Sequence, residues 1–233
     1  MNKVVKIIIE VLLAAAAVGL VYLLYSSIMQ PVNFNKEKAS RQAVAVQRLK
    51  DIRTLQVAYK SVTGKFNSSI DSLKQFYENG KMDIVMQIGS MDDSVAVANT
   101  DAIKKANRKL KPEQLNAKLQ EAYAAGQKVV FSKTTEIPVR DTLFNGRTDF
   151  SIDSLKYIPF SGKEPIQMEA TTKMVSGVPV PLFEARIPWK SLLKGMNNQL
   201  RINLDAESRD LNRYEGLQVG SITAPNNNAG NWE

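Results

Sequence analysis

Ile7-Ile8-Ile9-Glu10-Val11-Leu12-Leu13-Ala14-Ala15-Ala16-Ala17-Val18-Gly19-Leu20-Val21-Tyr22-Leu23-Leu24-Tyr25 is apolar but for one carboxylate, and it continues through Ser26-Ser27-Ile28-Met29 to Pro31. A helix from Ile7 to Met29 is roughly 34 Å long, enough to cross the hydrocarbon of a bilayer. Tyr22 and Tyr25 fall near its end, where aromatic rings favour the interface. A cleaved secretory signal has an apolar core of about 7 to 15 residues followed by small residues. Here the alanines lie inside the run and leucines follow them. The sequence therefore predicts a retained single-span anchor over residues 1–30.

Glu10 is the exception within that anchor. An ionised carboxylate costs roughly 2.5 to 3.5 kcal/mol at mid-membrane, so it requires a partner. Lys6 stands one helical turn earlier and can pair with it inside the chain. The alternative is a cation on a neighbouring subunit, which would make Glu10 an assembly contact.

Lys6-Ile-Ile-Ile-Glu10-Val-Leu-Leu-Ala-Ala-Ala-Ala-Val-Gly19 resembles the N-terminal helix of type IV pilins and type II secretion pseudopilins, which carry an apolar run, an early Glu and often a Gly placed as Gly19 is. Asp51-Ile-Arg-Thr-Leu-Gln-Val-Ala-Tyr59-Lys-Ser-Val-Thr-Gly64-Lys-Phe66 and Ser69-Ile70-Asp71-Ser72-Leu73 extend the resemblance to a pseudopilin over about residues 6–76. It implies subunit contacts through Glu10, Lys6 and Gly19. Val5 and Lys6 occupy the position of the family's cleavage Gly, so the anchor is expected to remain whole. The closing run from Val219 to Glu233 is similar to an uncharacterised family of membrane-anchored Bacteroidota proteins, which implies a Gram-negative envelope.

Composition excludes several chemistries. Among 233 residues there is no Cys and no His. That removes disulfides, thiolate and imidazole metal sites, the Ser-His-Asp triad and the commonest general base. The chain is accordingly read as a non-enzyme without cofactor or metal. Its net charge is +8, and Lys104-Lys105-Ala-Asn-Arg108-Lys109-Leu-Lys111 is the densest basic run. No aromatic residues interleave with it as a base-stacking platform needs, so it reads as a solvated helix face and no nucleic-acid partner is expected. Asp92-Asp93 reads as part of a solvated loop, and Ser176-Gly177 as a hairpin turn.

The charges flanking the anchor do not decide its orientation: Lys3 and Lys6 stand before it, and Lys36, Lys38, Arg41 and Arg48 after it. A short positive tail is more easily left inside than exported. The expectation is a cytoplasmic N-terminus in the inner membrane and a periplasmic C-terminal domain.

Beyond the anchor, Pro31 is expected to interrupt the helix, with Asn33 and Asn35 as restart caps. Residues 31–63 form a juxtamembrane helix whose stripe of Ala45, Leu49, Ile52, Leu55, Tyr59 and Val62 faces the core, and Gly64 ends it. A repeat follows. Ser-Ile-Asp-Ser-Leu-Lys occurs at 69–74 and again at 151–156. Gly-Lys closes both copies, and Ile84 and Met86 match Ile166 and Met168 without a gap. This predicts duplication of a short helix-strand unit. Ile137-Pro138 and Ile187-Pro188 give a weaker second echo. Strands are expected near 83–89, 128–133, 165–174, 178–187, 200–205 and 216–223, with helices in the basic region and over 112–126. The predicted fold is α+β, in halves 64–145 and 146–233.

The function expected is that of a structural or scaffolding part of an envelope assembly, with other envelope proteins or a second copy as partners. The rival is a membrane-tethered binding module for a peptide, glycan or lipid, with Trp189 and Trp232 as its aromatic anchors.

Overall fold

A computed structural model describes residues 3–233, with side chains from Lys6 onward. Met1 and Asn2, the first residues of the expected anchor, lie outside them. The described residues form an α+β fold of seven α-helices and two small antiparallel sheets. They divide into two compact units: one comprises the chain up to Lys74 together with Ser151–Glu233, the other Gln75–Phe150. The division falls elsewhere than the halves 64–145 and 146–233, because the first Ser-Ile-Asp-Ser-Leu-Lys segment packs with the second one.

Helix α1 (Lys3–Thr63) runs through Pro31 without a break. The expected interruption, and the restart caps at Asn33 and Asn35, are corrected by this. An interior proline costs a helix roughly 3 kcal/mol. Here the turn after it is held by burial of Phe34 and by the Arg41–Glu37 pair at 2.8 Å. The first half of α1 is long and apolar enough to cross a membrane, and its side chains are open on all faces, Leu12 at 64 % and Val18 at 71 % exposure. Farther along, Ala45, Leu49, Ile52 and Leu55 are fully buried. Val62, expected on the same stripe, is exposed.

That stripe packs on a sheet of β3 (Gln167–Val175), β4 (Val178–Pro188) and β5 (Gly216–Gly220), with β4 in the middle. Ser176 and Gly177 both take positive φ, as a two-residue primed turn requires. Phe183, Ala185 and Ile187 of β4 are fully buried, and Phe66 meets Phe183 with ring centroids 4.8 Å apart. Arginines of α1 reach three different loops. Arg41 donates to the carbonyls of Leu192 and Lys194, Arg48 to that of Tyr157, and Arg53 to the Glu233 carboxylate at 2.7 Å.

The repeated hexapeptide opens α2 (Ile70–Asn79) and forms a 3₁₀ turn at Ile152–Lys156. Leu73 and Leu155 are both buried. Lys74 Nζ lies 2.5 Å from Asp153 Oδ1, and Lys156 Nζ 2.9 Å from Asp71 Oδ1. Equivalent residues thus exchange partners reciprocally, the pattern of an isologous contact. The segments also differ: Ser69 Oγ accepts from Ser72 N at 3.4 Å, whereas the Ser151 side chain caps nothing.

In the Gln75–Phe150 unit, β1 (Lys81–Ile88) pairs along its length with β2 (Phe131–Pro138). Helices α3 (Ser94–Ala106) and α4 (Pro112–Ala124) separate the two strands in sequence, and Leu119, Val129 and Phe131 form the core with Ile88 and Ile103. Asp93, expected in a solvated loop, caps α3 by accepting from Val95 N and Ala96 N. Strand β2 starts later than expected, at Phe131, and Val129 and Val130 are buried ahead of it. Both partner strands end in Ile-Pro: β2 leads into α5 (Val139–Thr142) and β4 into α6 (Trp189–Leu192).

Residues 200–205 belong to α7 (Asn198–Asp210), not to a strand. Their alternation is too short to outweigh a helix start. The Asn197 side chain caps Leu200 N at 3.1 Å, and Arg201 pairs with Asp205 across the next turn.

Candidate functional site

Lys6 and Glu10 are brought together in the apolar half of α1, Nζ to Oε1 at 4.0 Å, both more than 60 % exposed. This is the intrachain partner that the four-residue spacing allows. Gly19 lies two turns on, and a Cβ added there would meet nothing within 4 Å.

Trp189 and Trp232, far apart in sequence, line one cleft of about 220 Å³ in the unit that contains α1. Trp189 opens α6 directly after Pro188, and its N–H donates to the Glu215 carbonyl at 3.0 Å. Trp232 arrives with the C-terminal tail, which docks as an irregular extra strand. Val219 bridges Gly230, Asn231 N donates to the Gln218 carbonyl, and Asn231 Nδ2 donates to the Gly216 carbonyl. Gly230 is required there, because a Cβ would sit 2.3 Å from the Trp232 ring. Lys38 and Gln42 of α1, Glu207 and Ser208 of α7, and Arg213 and Tyr214 after it also stand on the walls.

Arg213 and Tyr214 are shared with an adjoining cavity of about 450 Å³ that also takes in Lys190, Arg201, Asp205 and Glu215. Asp205 is 7 % exposed. Its Oδ2 accepts from Arg201, and its Oδ1 has no hydrogen-bond partner. Burial pushes its carboxyl above the ordinary range, and Arg201 opposes that only in part. Burial likewise raises the Tyr214 phenol, which therefore keeps its proton as a donor. The second buried polar atom without a partner among the described residues is Trp232 Nε1. Both such atoms belong to this pair of cavities.

A larger cavity, about 530 Å³, lies between α4 and the β1–β2 ladder, with Lys104, Asn116 and Phe131 on its walls. It contains no unpartnered buried polar atom. Among the described residues no three acidic side chains gather to hold a metal ion.

Sequence reasoning paired the tryptophans as candidate anchors and missed the polar groups around them. Asp205 was hidden by the strand assignment, and Lys38, Arg213 and Tyr214 carry no local motif. Compared with family models, curated proteins and solved structures, the chain matches none of them.

Proposed function

We propose that this chain is a structural component of a bacterial envelope assembly, anchored once in the inner membrane with its C-terminal portion in the periplasm. The observation that carries the reading is the continuity of α1. One uninterrupted helix bears an apolar half with no intrachain cover and a second half that is the core of the anchor-bearing unit. A side chain displaced in the membrane therefore shifts the rod on which that unit is built, as a scaffold subunit requires. The pilin-like resemblance of residues 6–76 supplies the class of assembly. Its proposed contacts are Glu10, Lys6 and Gly19, with another copy or other envelope proteins as partners.

Crosslinking in mild detergent of wild type, Glu10→Gln and Lys6→Gln/Glu10→Gln tests this reading. Loss of oligomers in both variants, with the soluble fold retained, supports an intersubunit role for Glu10. Equal yields in all three, with no envelope protein co-purifying, would sink the scaffold reading. A C-terminal alkaline phosphatase fusion is expected to be active, and an inactive one reverses the orientation.

The helix-strand duplication is proposed on the same footing. The reciprocal Asp71–Lys156 and Lys74–Asp153 pairs support it, as do the two Ile-Pro strand ends.

A second reading, a tethered binding module, is favoured by a separate observation: Trp189 and Trp232 line the same cleft.

A further inference from the structure

The two cavities adjoin at Arg213 and Tyr214, and the chemistry of the groove they line, where Glu207 and Glu215 stand beside the cations, narrows the ligand. Lys190 and Arg213 are exposed on its walls, and among the described residues neither makes a salt bridge or a side-chain hydrogen bond, although Lys190 lies in the field of Glu164. Asp205 Oδ1, an acceptor, and Trp232 Nε1, a donor, are buried in its lining residues without hydrogen-bond partners. Trp189, Trp232 and Tyr214 add three aromatic rings. A ligand suited to this set carries an anionic group for the two cations and hydroxyls that both donate and accept. It also has a face of C–H groups to lie on aromatic rings.

An extended peptide is the weaker candidate. Strand addition beside the groove is blocked, because the free edge of β5 is already covered by the tail at Gly230 and Asn231. A lone acyl chain would leave Lys38, Gln42, Arg213 and Asp205 facing hydrocarbon.

We infer that this groove binds a saccharide bearing a carboxylate or phosphate. The inference rests on the binding-module reading and is independent of the scaffold reading. Its place along α1 bears on the ligand's source. Lys38 on the cleft wall stands about 14 Å along the helix axis from Met29, at 1.5 Å per residue. A sugar in solution and a sugar borne on a lipid of the same leaflet can both reach a site at that height.

The chain contains only two tryptophans, and both line the groove, so intrinsic emission reports on it directly. The full chain in nanodiscs is titrated with a galacturonic acid oligomer, glucose 1-phosphate, a neutral glucose oligomer, inorganic phosphate and an acidic peptide. Emission and titration calorimetry are read in parallel. A second set of nanodiscs carries an acidic glycolipid in place of phosphatidylglycerol. Saturation by an acidic sugar, at least tenfold tighter than by the neutral oligomer, is expected. The Lys190→Gln/Arg213→Gln variant should weaken it by about tenfold or more with the far-UV spectrum unchanged. Saturation by free sugar assigns a soluble ligand, and a response confined to glycolipid discs assigns a lipid-borne one; both uphold the inference. Equal binding of the neutral oligomer overturns it, as do equal affinities for inorganic phosphate or the acidic peptide, or no heat and no emission change with any saccharide. A ligand-binding reading survives if only the peptide binds, and falls if nothing does.

Discussion

Gln56 is fully buried on α1 and acts as a side-chain imitation of a backbone bridge. Its Nε2 donates to the Asn67 carbonyl at 2.6 Å, and its Oε1 accepts from Asn67 N at 3.0 Å, so one amide satisfies both backbone groups of a loop residue. Gln56→Leu preserves volume but strands an N–H and a C=O out of water, at about 1 to 3 kcal/mol for such a group. Denaturant unfolding should show a loss of roughly 2 to 3 kcal/mol with an unchanged slope, and a loss below about 0.5 kcal/mol would mean the loop finds water instead. Gly230 is decisive for a different reason. With the Trp232 ring 2.3 Å from where its Cβ would stand, Gly230→Ala must displace the ring or the tail. The expected result is red-shifted tryptophan emission and greater acrylamide quenching, with stability lowered by about 1 to 3 kcal/mol. Unchanged emission would place the ring elsewhere. Neither role was legible from the sequence: Gln56 interrupts an apolar stripe without a signal of its own, and Gly230 sits in an Asn-rich tail with no periodicity.

At the scale of elements, what was legible followed from strong local chemistry. Ser176-Gly177 between apolar runs gave the β3–β4 hairpin, Pro112 and Gly126 bracketed α4, and Gly64, at a positive φ, ended α1. Elements held by tertiary partners were misread, and so was α7, whose local Asn197 cap and Arg201–Asp205 pair compete with a six-residue alternation. The C-terminal tail is the clearest such case, since it is ordered by bonds to α1 and β5 rather than by its own pattern. Arg53 holds the Glu233 carboxyl below its ordinary range, and a backbone hydrogen bond from Gly230 to the carboxylate adds to this. A lowered carboxyl contributes stability that is complete above its unfolded value and is lost as pH falls through the folded one. Tail docking should therefore weaken as pH drops below the usual glutamate range, about 4. Acrylamide quenching of tryptophan emission should rise over that interval in wild type and be pH-independent in Arg53→Gln. An identical acid transition in both would assign it to another carboxylate, such as Glu164, which Ser191 and Lys194 also hold low.

For the molecule as a whole, the repeat was visible in the sequence, while the way the chain divides was not. Counting from one copy of the motif to the next gives halves that split at 146, yet the first copy belongs with the second, in the unit that contains α1. The reciprocal ion pairs are 36 to 74 % exposed and contribute little individually. The burial of Leu73 and Leu155 beside them is the stronger bond. Residues 75–150 are thus an insertion whose ends are tied by the Lys74–Asp153 pair at 2.5 Å. Two side chains and an ion pair span at most roughly a dozen ångströms, which four to six residues cover at about 3.3 Å each. Replacing Gln75–Phe150 by such a Gly/Ser linker should leave the unit that contains α1 folded, because the α1 stripe, Phe183, Leu73, Leu155 and both tryptophans lie outside the excised segment. Helix α2 would be cut to its first turn, which is all that the 3₁₀ turn at Ile152–Lys156 has. The expected variant keeps native-like tryptophan emission and a single cooperative unfolding transition. If it instead shows exposed tryptophan and no cooperative transition, the two units do not fold independently, and packing across the Lys74–Gln75 boundary must supply part of the core's stability.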